Sequence, residues 1–191
     1  MTTTPRAILE FWFSPQARLR WFEQDKAFDE EIRGRFGIAV HAAQQGELDS
    51  WQQSPEATLA LLLLLDQFSR NIHRGQAKAF LGDARARDIA DRAIGKGFDR
   101  LFDFLRRRFF YLPFEHGESL ADQQRAIMLF ERALDEAAPQ DRDTALEQLD
   151  YAHRHRVVIE RFGRFPHRNE ALGRPSTEAE IAFLREPGSS F

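Results

Sequence analysis

The feature that most constrains this chain is the apolar run Leu59–Leu65, which contains only leucine and alanine. Ser54-Pro55-Glu56 stands just before it: a capping hydroxyl, a proline suited to the first helical position, and an acid near the positive helix end. With no β-branched residue and a helix start in front, the run reads as a helix rather than a buried strand. A helix that is apolar on every side must be covered on every side, so other elements have to be arranged around it. It continues through Asp66-Gln-Phe-Ser-Arg-Asn-Ile-His-Arg to Gly75, a C-terminal stop.

The remaining pattern is helical as well. Ala7–Phe13 is a short apolar segment broken at Ser14-Pro15. Asp25 caps a helix whose stripe is Phe28, Ile32, Phe36, Ala39 and Ala43, ending at Gly46. Ala77–Ile94 reads as one amphipathic helix, and Leu101, Phe102, Leu105, Phe109 and Leu112 as the stripe of another that Pro113 ends. Ser119–Asp122 and Thr177–Glu180 are capping boxes. The first opens a helix to about Ala138. Pro139 then separates it from a long helix running from about Asp143 to Phe162. No segment alternates with period two. The expectation is an all-α chain of about eight or nine helices, paired antiparallel across short links as a tetratricopeptide-like array or an irregular bundle, in a single domain over residues 1–191.

Composition narrows the function classes. The chain has no cysteine, which excludes thiolate metal sites and cysteine nucleophiles and fits a reducing cytoplasm. A formal net charge of -3 argues against a nucleic-acid partner. The longest apolar run is far short of the ~20 residues of a membrane span, and Met1-Thr-Thr-Thr-Pro5 lacks the pattern of a signal peptide. Neither the His-Glu-x-x-His nor the paired Glu-x-x-His arrangement occurs, nor any Gly-rich phosphate loop, so no metal or cofactor is expected.

The polar residues that stand out fall into three stretches. Asp66 and Arg70 extend an apolar helical face, with Asn71 following; the acid precedes the base by four residues, the favourable order for a pair. Glu115-His116 follows Pro113 and is free to converge on one ligand from a loop. Phe162-Gly-Arg-Phe-Pro-His-Arg-Asn169 places Arg164, His167, Arg168 and Asn169 on irregular backbone, because Pro166 forbids helix continuation. On the long helix, Tyr151, His155, Val158 and Phe162 share one face, so His155 is expected to be buried and His153, about 200° away, exposed.

These motifs together, Leu65-Asp-Gln-Phe-Ser-Arg-Asn71, Tyr111-Leu-Pro-Phe-Glu-His116 and Phe162–Asn169 with Leu172-Gly-Arg174, resemble the bacterial family catalogued as domain of unknown function 924. Leu9-Glu-Phe-Trp-Phe13 and Trp21-Phe22 extend the resemblance over nearly the whole chain. It implies an all-helical, tetratricopeptide-like fold and no particular activity.

Three functional readings follow. The first is a binding module whose polar pocket, built from Asp66, Arg70, Asn71, Glu115, His116, His155, Arg164, His167, Arg168 and Asn169, holds a small anion or an acidic peptide on arginine. The second is an enzyme acting on an anionic metabolite with histidine and Glu115 as acid and base. The third is a helical protein–protein scaffold in which the same residues pair among themselves.

Overall fold

The computed structural model describes residues 3–189, which are about 73% helical with no strand among them. The chain divides into two compact units. The first comprises the residues up to Arg74 together with Lys78–Asp103, and the second Gly75–Ala77 together with the residues from Phe104 onward.

In the first unit the α-helices are α1 (Pro5–Trp12), α2 (Pro15–Arg18), α3 (Lys26–Gln45), α4 (Pro55–Leu62), α5 (Ser69–Ile72) and α6 (Asp83–Gly95). Local chemistry sets their starts. Thr4, Ser14 and Ser54 each accept a backbone N–H from the first turn, each before a proline, and Asp25 accepts the N–H groups of Ala27 and Phe28. A cap of this kind stabilises a helix by ~1 kcal/mol. The apolar run is central as expected: Leu59 to Leu65 are all buried, α1 and α6 pack against α4, and α3 packs against the segment that follows it.

That segment, Leu63–Phe68, is a π-helical turn, and Ser69 N–H donates to Leu64 O five residues back. The extra residue in the turn lets α4 run on into α5 while Asp66, Gln67 and Phe68 are all buried. Phe68 joins an aromatic cluster with Phe11, Trp12 and Phe36, extended by Trp21 and Phe28. Trp21 Nε1 donates to Trp12 O at 2.8 Å, so the indole is buried with its polar atom satisfied.

Ala77–Ile94 is not one helix. A 3₁₀ turn, Ala77–Phe80, precedes α6, and the break falls at Gly82. A Cβ there would lie 2.5 Å from Leu65 O, so the chain passes the central helix at a distance only glycine permits.

The second unit contains α7 (Phe104–Arg107), α8 (Leu112–Glu115), α9 (Leu120–Asp135), α10 (Arg142–Phe162) and α11 (Glu178–Phe183). The stripe read from Leu101 to Leu112 is likewise divided, and Pro113 sits in the first turn of α8 instead of closing a helix. Proline lacks the N–H that a first turn leaves unused, so this position suits it. The helices α9 and α10 pack along their length as an antiparallel pair, with α8 against both. Ser119 caps α9, and Thr177 with Glu180 forms a complete capping box on α11. Gly163, in the left-handed region at φ 68°, ends α10 and turns the chain into the segment that carries the later polar motif.

Candidate functional site

The three polar stretches of the sequence fall in both units. Asp66, Arg70 and Asn71 belong to the first. Arg70 Nη1 lies 2.8 Å from Asp66 Oδ1, and its fork also donates to both Asp83 carboxylate oxygens at 3.0 Å. Burial lowers the Arg70 pKa, but the charges of Asp66 and Asp83 outweigh it and leave the guanidinium more firmly protonated than usual. Asn71 Nδ2 donates to Asp29 Oδ1 at 2.8 Å, and Arg74 Nε donates to Asp29 Oδ2 at the same distance. Asp29 and Asp83, which nothing in the local pattern marks, are therefore partners of this stretch.

In the second unit the Phe162–Asn169 motif divides into two sets. One set is a scaffold. Arg164 Nε and Nη2 form a two-pronged pair with Glu180 at 2.7 and 2.9 Å. This pair, opposed by burial and helped by the Thr177 N–H, brings the Glu180 pKa down to about 2. Arg174 donates to both oxygens of Glu118, at 2.6 and 3.0 Å, and Glu118 also accepts Phe165 N–H at 2.9 Å. Burial pushes Glu118 upward, but Arg174 and the Phe165 N–H outweigh it and hold its carboxyl below the usual range. Asn169 bridges Arg174 and Ser176. These bonds fasten irregular backbone that no helix supports.

The other set gathers around His155. Its ring is buried on the inner face of α10, whereas His153 is exposed, matching the periodicity. His155 Nδ1 lies 2.9 Å from Tyr151 O, a carbonyl that only accepts, so Nδ1 carries the hydrogen. Burial pushes the imidazole well below its ordinary pKa, and His116, Arg168 and His167 act in the same direction against that one carbonyl bond. The ring is therefore neutral near pH 7, with its Nε2 lone pair 3.9 Å from Glu115 Oε1. Glu115 itself is 1% exposed.

The surroundings are aromatic and cationic. The Tyr151 and Phe165 rings approach His155 edge-on at 4.7 and 5.5 Å, and His116 lies 6.3 Å away, centroid to centroid. Arg168 is 6% exposed, stacks its guanidinium 4.5 Å from the Phe165 centroid, and donates from Nη1 to His116 O at 3.0 Å. His167 stands against the other part of Phe165, 5.7 Å between ring centres. Arg108 was not singled out by the sequence. Burial lowers its pKa, while the charges of Glu115 and Tyr151 oppose the shift, which places its guanidinium near both. Tyr151 is raised by burial and by Glu115, and so stays a neutral hydroxyl.

Glu115, His116, His155, His167 and Arg168 thus come together in the second unit, with Arg108 and Tyr151 added. Arg164 and Asn169 are taken up in the scaffold beside them. Among the described residues no group of three or more His, Asp or Glu side chains is arranged to hold a metal ion, and no helix is long and apolar enough to cross a membrane.

The family model described as bacterial protein of unknown function (DUF924) matches residues 8–188. The chain belongs to this family. A solved structure of a protein of unknown function from Agrobacterium tumefaciens is similar to it, with a TM-score of 0.83 and 42% identity over 95% of this chain and 96% of that one. No curated protein matches the chain. The matched range takes in every candidate site residue of the DUF924 chain.

Proposed function

We propose that this DUF924 chain is a cytoplasmic binding module for a small anionic ligand, held by the cluster around His155 in the second unit. The observation that carries the reading is the gathering of cationic and imidazole side chains in one place. Almost wholly buried, Arg168 lies over the Phe165 ring and donates to the His116 carbonyl, and the cluster gathers Arg108, His116 and His167 with it around the neutral His155. The planar fork of a guanidinium suits a carboxylate or phosphate. His116, His167 and Arg108 stand beside it and add hydrogen-bonding capacity. Acidic peptide termini offer the same chemistry as small carboxylates and are the alternative source.

The test is a thermal-shift screen of phosphate, sulfate and carboxylates at fixed ionic strength, on the parent and on Arg168→Met. A ligand at ~100 times its dissociation constant stabilises the fold by about 2.7 kcal/mol. The expected result is a saturable shift that depends on anion identity and disappears in Arg168→Met. A response that follows ionic strength alone, equal in both chains, contradicts the reading.

A further inference from the structure

Arg161 is a cation of α10 that its own helix cannot neutralise. Arg154 pairs with Asp150 and Arg156 with Glu160, each four residues apart. Three and four residues before Arg161 stand Val158 and Val157, and after it Arg164 and Phe165, so helical spacing offers it no acid. Among the described residues Arg161 makes no hydrogen bond or ion pair. Its guanidinium lies instead 4.7 Å from the Phe162 ring centre and 5.7 Å from that of Phe183. Those rings meet at 5.1 Å and pack on the buried Val158, Ile159 and Phe165. A ring face attracts a guanidinium but leaves its charge without a counter-ion.

A cavity adjoins this exposed cation. Arg161, Phe162, Arg164, Thr177, Ala179 and Glu180 line a groove of about 420 Å³ between the end of α10 and the start of α11. Small-molecule sites fall at about 300–1,000 Å³. Arg164 Nε and Nη2 are spent on Glu180 and the Pro175 carbonyl, while Nη1 has no acceptor among the described residues. Thr177 Oγ1 accepts Glu180 N–H and keeps its own hydrogen to donate. Both Glu180 oxygens are engaged by Arg164, and Oε2 by Thr177 N–H as well. The groove therefore offers donors from Arg161, Arg164 and Thr177 beside a phenyl ring and the Ala179 methyl. Two guanidinium charges against one carboxylate leave one positive charge in excess, which matches a monoanion.

We propose that this groove is a second ligand site, for a monocarboxylate with an apolar body. The carboxylate lies between Arg161 and Arg164 Nη1, and the body rests against Phe162 and Ala179. The groove shares no residue with the cluster around His155, so the two sites stand or fall separately. Inorganic phosphate lacks the apolar part and should give no saturable signal here.

Phenylacetate, acetate and phenylacetamide, titrated into the parent, Arg161→Met and Arg168→Met, test this, with carbon NMR of the Ala179 methyl as the local readout. Acetate removes the apolar body, and the amide removes the charge at nearly constant shape. In the parent, phenylacetate should shift the Ala179 signal saturably and bind about tenfold or more tighter than either control, equivalent to ~1.4 kcal/mol. Arg161 is exposed, and methionine keeps an unbranched stem over the rings, so Arg161→Met should fold as the parent does and lose the preference for the acid over the amide. Arg168→Met should bind phenylacetate as the parent does. No saturable Ala179 shift with phenylacetate, equal affinity for acid and amide, or parental binding by Arg161→Met overturns the groove, whatever the anion screen on Arg168 gives. Loss of phenylacetate binding in Arg168→Met places the acid in the His155 cluster and overturns it equally.

Discussion

Arg70 in the first unit and Arg168 in the second are both largely buried arginines near the end of a family motif, and their surroundings differ. Arg70 sits between two carboxylates, Asp66 and Asp83, and its fork is spent on them. Arg168 lies on an aromatic face with a carbonyl as hydrogen-bond acceptor. A buried cation gripped by two acids locks a packed core end, because removing either side leaves a charge stranded. Arg168 stands instead beside a ring shared with two imidazoles. The difference teaches that arginine count alone says little about a site, since two largely buried arginines stand in an acidic and an aromatic setting.

The largest expected effect breaks the scaffold side of this comparison. Arg70→Met should destabilise the fold by about 3–5 kcal/mol by leaving the buried Asp66 beside the partly buried Asp83 without their shared cation, whereas Arg74→Met, whose partner Asp29 is shared with Asn71 at a more exposed position, should cost ~0–1 kcal/mol. Chemical denaturation measures both, and equal costs would show that Arg70 is not the structural partner described here.

Next comes Gly82→Ala, which drives a Cβ toward Leu65 O and should cost about 1–3 kcal/mol, while Gly34→Ala on the open side of α3 should gain up to ~1 kcal/mol. Opposite signs in paired melts are the expected outcome; a neutral Gly82→Ala would mean the close approach to the central helix is not real.

Around the candidate site, His155→Ala should cost ~1–3 kcal/mol and His153→Ala should stay within about ±0.5 kcal/mol. Indistinguishable melting temperatures would refute the inward placement of His155.

The smallest effect is with pH. His155 and Glu180 both have folded-state values below their unfolded ones, so each contributes stability above its unfolded pKa and loses it as pH falls. The His155 part should begin to fade below about 6.5 and the Glu180 part between 4.5 and about 2. In a pH series of melts, His155→Gln should flatten the upper portion and leave the lower one unchanged.

Much of the helical framework is legible in the sequence because its causes are local. Ser54-Pro55, Asp25 and the Thr177–Glu180 box act within one turn, and the face shared by Tyr151, His155 and Val158 follows from helical geometry alone. What escaped depends on distant residues. The break at Gly82 is caused by the carbonyl of Leu65, and the π turn at Leu63–Phe68 places an extra residue in a stretch whose composition is that of an ordinary helix. Pro113 is equally compatible with ending one helix or starting the next, and the backbone before it decides for the start. In the site, His155, Glu115 and Arg168 stood out by type and position. Arg108 did not, since Arg106, Arg107 and Arg108 are alike in sequence and only the fold brings Arg108 under the electrostatic influence of Glu115 and Tyr151. The division of the last motif into Arg164 and Arg174 held on carboxylates and Arg168 stacked on Phe165 was equally hidden, because it depends on where Glu118, Glu180 and Phe165 reach.

The measurement that bears most directly on the proposed role of Arg168 is a calorimetric titration of phosphate at fixed ionic strength into the parent, Arg168→Met and Arg74→Met. The account predicts a saturable heat of the same affinity in the parent and Arg74→Met, and none in Arg168→Met. A response of equal size in all three, or in none, would contradict it.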